Sequence, residues 1–258
     1  EIGTHIAGAR VHKVADVADV DSWAHLDGVK AVWVNSPCNP TGQVIDAAGM
    51  RRIVDAARKI GAVVLSDECY ALMAWNDAND APENREASIE SSPCALRADV
   101  CGGDAYGVLV LYSLSKQSNM AGYRTACIAG DHTLVRAMTE LRKQIGLIVP
   151  GPVQAAMAAG LRDMAAVREQ HNRYYSRLST LVEALRAYGY DAHMPQGALY
   201  IWVRTLGDDC WQDMGRLADL GIVPSPGEFY GAPQYLRFSA TASDAQITEA
   251  AERLHAAL

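Results

Sequence analysis

The chain has 258 residues, half of them apolar, and a formal net charge of −7. That length can bury one large core or two unequal ones. No run of Lys or Arg lays a basic stripe for nucleic acid or an anionic membrane, and no apolar stretch approaches the ~20 residues of a membrane-spanning helix.

The amino terminus, "EIGTHIAGARVHKV", lacks the charged and apolar regions of a signal peptide and has no initiating Met, so sequence missing ahead of it is expected. Short apolar runs then alternate with helical patterns over the first 150 residues. This predicts β-α-β units and a largely parallel sheet. Strands are expected at 30–35, 62–66, 107–112 and 125–129. Between the first two, residues 46–60 put Met50, Ile53, Val54 and Ala57 on one helical face, and Gly61 stops the helix. Residues 76–105 are polar and too long for an ordinary loop, which predicts a surface excursion or a short helix. After "PGP" at 150–152 the pattern turns to long helices ending at Gly189. Two short strands follow, "ALYIWVRT" and "QYLRFSA", then a helix over 243–258 with Ser243 as N-cap. Six cysteines at 38, 69, 94, 101, 127 and 210 include no Cys-x-x-Cys pair, so reduced thiols in the cytoplasm are expected, with no zinc site and no disulfide framework.

Four motifs fall at strand ends, where open α/β sheets bind ligands. "NSPCNPTG" follows the first strand, "SDECY" the second and "SLSK" the third, while "GYR" opens the fourth. Taken singly each has an ordinary explanation: a turn, a helix cap, a solvated lysine, a surface ion pair. Together they bring a carboxylate, an asparagine, a tyrosine, two serines, a lysine and an arginine to one crevice. That set suits an aromatic aldehyde phosphate: a lysine for the Schiff base, a carboxylate for the pyridinium nitrogen, hydroxyls and an arginine for the phosphate.

In order along the chain, "NSPCNPTG", "SDECY", "SLSKQSNMAGYR" and "YLRFSAT" resemble fold type I pyridoxal phosphate enzymes, in particular the class I and II aminotransferases. The resemblance implies an α/β fold with a mostly parallel central sheet, helices on both faces, and a smaller C-terminal α+β domain, divided as 1–165 and 166–258. It makes Lys116 the Schiff-base lysine and Asp67 the partner of the ring nitrogen. Asn39 and Tyr70 bond the ring hydroxyl oxygen, Ser113, Ser115 and Arg124 bind the phosphate, and Arg237 pairs with the substrate α-carboxylate, with Asn39 counted beside it. A homodimer with shared active sites is implied, with amino acid and keto acid substrates and no metal. So is a segment ahead of Glu1, carrying a glycine-rich turn and an aromatic residue that stacks on the ring.

"YSLSKQSNMAGYR", "SPGEFYG" and "DVCGG" further resemble the actinobacterial succinyldiaminopimelate aminotransferases. That points to glutamate as donor and a substrate with carboxylates far from the reacting amine. Arg142, Lys143, Gln144 and Gln117 are rim candidates, the first two more readily read as a solvated helix face. Tyr230 could line the entrance, and of Tyr200 and Trp202 at least one is expected to pack. Two other readings share Lys116: a carbon–sulfur β-lyase, and a cofactor-binding sensor domain of a transcription regulator.

Overall fold

The computed structural model describes residues 1–75 and 94–257. A short helix, α1 (Ile2–Ile6), and an irregular stretch lead to β1 (Ala31–Asn35), whose Val32 and Val34 point inward. Helix α2 (Ala47–Lys59) starts where the Asp46 carboxylate accepts from Gly49 N at 2.6 Å. It buries Met50, Ile53, Val54 and Ala57, the face its spacing predicts. β2 (Val63–Asp67), a one-turn helix α3 (Ala98–Cys101), β3 (Val108–Ser113) and β4 (Ala126–Gly130) complete the first sheet region. Of the polar excursion, 76–93 lies outside the described residues, and α3 occupies part of the remainder. The strand ends sit one residue later than the apolar runs suggest, except that β1 keeps its end at Asn35.

Sheet order is β1-β2-β3-β4; the first two pairings are parallel, but β4 runs antiparallel to β3, with Ser113 opposite Ala126. Residues 114–125 hold only turns and a 3-10 turn at Ala121–Tyr123, not the helix of a parallel crossover. The reversal matters to the site. It puts the start of β4, and Arg124 just ahead of it, at the edge where β1, β2 and β3 end.

Helices α4 (His132–Gln144), α5 (Gly151–Gly160) and α6 (Met164–Tyr188) follow. The second sheet is antiparallel with order β5-β7-β6, from β5 (Tyr200–Arg204), β6 (Ser225–Pro226) and β7 (Tyr235–Ser239). Between β5 and β6 lies α7 (Cys210–Asp219), which the sequence reading did not anticipate. The last helix, α8 (Asp244–Ala256), carries a capping box in which Ser243 and Gln246 satisfy each other's backbone N–H.

Two apolar cores result. One packs β1–β3 against α2, and the other packs the small sheet against Leu178, Leu181 and Leu185 of α6 and Ile247, Ala251 and Leu254 of α8. Each such leucine contributes about 1.5–3 kcal/mol on burial. Tyr70, Met73 and Trp75, from the segment after β2, enter the second core, so the chain crosses between cores beside the sheet edge.

Two loops nest there backbone to backbone, with Gly197 N donating to Gly42 O at 2.8 Å. Gly42 has φ +73°, and a Cβ on it would lie 2.6 Å from Pro195 Cβ. A Cβ on Gly197 would lie 2.7 Å from Pro37 Cβ. Glycine is required at both positions. The close approach brings the loop after β1 up to the small sheet.

Candidate active site

Asp67 ends β2, in register with Asn35 of β1 and Leu111 of β3. Its Oδ1 accepts from Cys69 N at 3.3 Å. Burial, with the Asp67 carboxylate next in effect, pushes the Cys69 thiol up to about 12, so that thiol stays protonated. Lys116 lies three residues past the end of β3. Of the five lysines, at 13, 30, 59, 116 and 143, four are exposed and Lys116 alone is half-buried. Its Nζ lies 6.0 Å from the centre of the Tyr70 ring and has no ion-pair or hydrogen-bond partner among the described residues. A lysine amine partly withdrawn from water and without a protein partner is a candidate for contact with a ligand.

The small sheet supplies Arg237. Nη1 donates to Asn39 Oδ1 at 2.7 Å and Nη2 to Ser225 Oγ at 3.3 Å. Because arginine only donates, the Asn39 amide must turn its oxygen to Arg237. Its NH2 is left facing elsewhere, without a partner among the described residues. The guanidinium carbon sits 4.1 Å from the Tyr200 ring centre and 5.1 Å from that of Tyr230. Arg237 Nε is buried and has no hydrogen-bond partner among the described residues. Tyr70 and Tyr200, both buried, share a hydroxyl–hydroxyl bond of 2.6 Å. Burial, then that bond, raises the Tyr70 phenol far above its ordinary value, so it remains a neutral donor.

On the other side, Ser113 and Ser115 hydroxyls bond each other at 2.7 Å, and Ser113 Oγ also donates to Thr125 O at 3.3 Å. Arg124 is exposed with a left-handed φ of 51° and gives Nη1 to Ala121 O at 2.8 Å. Asn119, at φ 54°, ties this loop to α6 through Gln170 at 2.8 Å and Tyr174 at 3.3 Å.

The rim candidates separate. Gln117 is buried and accepts from the Tyr112 hydroxyl, which turns it inward. Arg142, Lys143 and Gln144 are exposed at the end of α4, with Lys143 paired to Glu140 at 2.8 Å, the solvated helix face already allowed for. Trp202 stacks on Tyr235 at 5.1 Å, while Tyr230 meets the Trp202 ring edge-on and Arg237 as well. Tyr200 was named from the sequence only as a residue expected to pack, and Ser225 was not named at all. Tyr200 had a signal in the alternation of β5, whereas β6, two residues long, had none.

These groups fit pyridoxal phosphate. An uncommitted lysine, a carboxylate, an amide NH2 and a neutral phenol share one edge with two hydroxyls and an arginine, and the orphaned N–H of Arg237 sits beside them. Among the described residues no cluster of His, Cys, Asp and Glu could hold a metal ion, and no helix is long and apolar enough to cross a membrane.

The sequence profile of the family described as aminotransferase class I and II matches residues 5–254. The chain is 41% identical over 256 residues to 4-dedimethylamino-4-oxo-anhydrotetracycline transaminase OxyQ of Streptomyces rimosus, covering 98% of this chain and 66% of that protein. It is 37% identical over 257 residues to probable aminotransferase Rv1178 of Mycobacterium tuberculosis, covering 98% and 57%. An LL-diaminopimelate aminotransferase of Nitratidesulfovibrio vulgaris is 29% identical over 266 residues, covering 98% and 65%. Among solved structures, aspartate aminotransferase from Thermus thermophilus with maleate superposes with a TM-score of 0.73 at 25% identity, covering 89% of this chain and 57% of that one. The chain thus spans less than two thirds of the length of these relatives. With the profile running almost end to end, the chain belongs to the aminotransferase class I and II family, whose members are pyridoxal phosphate-dependent enzymes of fold type I.

Proposed function

We propose that this protein transfers an amino group between an amino acid and a keto acid. The observation that carries the reading is Lys116: the one half-buried lysine, without a partner among the described residues, at the edge that also holds Asp67, Asn39 and, through Asn39, Arg237. Pyridoxal phosphate, when bound, supplies an aldehyde that joins amines and a ring that takes up electron density from the α-carbon. Lys116 would hold it and, as a free amine, would take a proton from the α-carbon at Nζ and return it to the carbon on the far side of the transferred nitrogen. Asp67 supplies the anionic partner for the ring nitrogen. Asn39 donates its free NH2 and Tyr70 its phenol to the ring hydroxyl oxygen. Ser113, Ser115 and Arg124 take the phosphate. Arg237 keeps one N–H on each Nη after bonding Asn39 and Ser225, a fork that suits a carboxylate.

Residues 1–165 then form the cofactor-binding part and 166–258 the smaller domain, working as a cytoplasmic homodimer. The donor is glutamate and the acceptor N-succinyl-2-amino-6-ketopimelate. The motif resemblance supports this acceptor, as do relatives named for LL-diaminopimelate. A second reading has its own observation: the relative at 41% identity is named for a 4-oxo-anhydrotetracycline, which would make the acceptor a polycyclic ketone.

Product analysis with pyridoxal phosphate and glutamate tests the reaction and its substrates. 2-Oxoglutarate plus the aminated acceptor is expected, with ping-pong kinetics. Pyruvate, ammonia and a thiol from a cysteine conjugate would instead indicate the β-lyase, and cofactor binding without turnover a sensor. Parallel assays with the two acceptors decide between the substrate readings.

A further inference from the structure

We infer that Tyr200 is a positioning residue that ties the carboxylate-binding arginine to the tyrosine on the cofactor side. The inference rests on the roles proposed above for Arg237 and Tyr70. Tyr200 and Trp202 share one face of β5, and Trp202 stands directly across from Arg237 of β7. Tyr200 is 4% exposed, and its ring lies under the guanidinium, 4.1 Å from centre to carbon. At that distance the ring face attracts the cation and fixes the plane of the fork. Asn39 and Ser225 hold only one N–H each, so the rings of Tyr200 and Tyr230 define the remaining orientation.

The hydroxyl does separate work. It meets the Tyr70 hydroxyl at 2.6 Å, with the two rings edge to face at 5.7 Å. Each hydroxyl has a single proton. If Tyr70 is to give its proton to a ligand oxygen, Tyr200 must give its own to Tyr70. Tyr200 therefore aims the Tyr70 proton while its ring aims Arg237, so one side chain sets both the cofactor-side donor and the substrate fork.

The test separates ring from hydroxyl in the protein loaded with pyridoxal phosphate. Calorimetry measures the dissociation constant of maleate, and the pH titration of the bound cofactor's visible band reports on Tyr70. Tyr200→Phe keeps the ring, so maleate affinity should stay within about twofold while the band's titration midpoint moves. Tyr200→Leu removes the ring, and maleate affinity should fall about 3- to 30-fold. In a double-mutant cycle, Tyr200→Phe should add nothing to the midpoint shift of Tyr70→Phe, because both changes remove the same bond. Independent, additive shifts would overturn the hydroxyl's role. Normal maleate affinity in a folded Tyr200→Leu, with affinity lost in Arg237→Met, would overturn the ring's role alone. Normal affinity in Arg237→Met would overturn the carboxylate reading itself, and this inference with it. If Tyr200→Leu does not fold, the Phe cycle still decides the hydroxyl's role, and Tyr200→Met, which fills the buried space without a ring, decides the ring's by the same maleate measurement.

Discussion

Where the site faces the small sheet, Asn39, Ser225, Arg237, Tyr200 and Tyr70 are already joined by hydrogen bonds and ring contacts; on the far side, Ser113 and Ser115 bond each other and Arg124 stands exposed. The first group is drawn from five separate stretches of chain: the small sheet joins Tyr200, Ser225 and Arg237, and the nesting of Gly42 against Gly197 brings up the loop that carries Asn39. The second comes from a single stretch that runs from the last residue of β3 through the turns ahead of β4. The difference teaches where specificity is stored. The end proposed to bind the carboxylate is oriented by the chain's own contacts, so little ordering would remain to be done on binding. The end proposed to bind the phosphate consists of two short hydroxyls and one exposed arginine that a dianion would have to gather.

Five substitutions would break or sharpen this contrast. Lys116→Ala removes the chemistry both ends serve, and turnover should fall by at least about 10⁴-fold with an unchanged circular dichroism spectrum. Asp67→Ala should lower kcat by about 10²- to 10³-fold while the cofactor still binds, as equilibrium dialysis would show. Arg237→Ala strikes the preorganised end, so kcat/KM should fall about 10- to 100-fold for every carboxylate substrate, chiefly through KM. Arg124→Ala strikes the open end: cofactor affinity should weaken only about 3- to 10-fold, and less at high salt, because exposed charges are screened. Maleate binding should be untouched by it.

The smallest effect belongs to neither end. Glu68, beside Asp67, is buried and accepts from Ser66 Oγ and Ala95 N, each at 2.8 Å. Burial is the foremost cause raising its carboxyl above the ordinary value. A raised folded value means its contribution to stability is full below the unfolded value and is lost as pH rises through the folded one. Glu68→Gln should therefore stabilise the fold more at about pH 8 than at about pH 5, read as the difference in thermal midpoint.

The placement of Asn39, Asp67 and Lys116 along one sheet edge was legible because each follows a short apolar run, and strand ends are where α/β sheets expose such groups. The α2 face was legible for a similar reason: Met50, Ile53, Val54 and Ala57 repeat at helical spacing. The direction of β4 was not, because antiparallel and parallel strands of this length have the same apolar pattern, and only the missing crossover helix betrays the reversal. Helix α7 had signals that could have been used, the Asp209 cap and buried Cys210, Asp213 and Leu217. Buried Asp213 in particular breaks the apolar stripe, since it accepts there from Tyr190 and from Leu206 and Gly207 N. The contacts of Tyr200 and Ser225 with Arg237 depend on tertiary packing of segments far apart in sequence, which no local spacing encodes.

The central claim is that Lys116 is the cofactor's lysine, and covalent trapping tests it most directly. The chain is mixed with pyridoxal phosphate, reduced with borohydride, digested, and its five lysines are mapped by mass spectrometry. The account predicts a saturable label on Lys116, absent from Lys116→Ala. A label spread over Lys13, Lys30, Lys59 and Lys143 with Lys116 unmodified would contradict it.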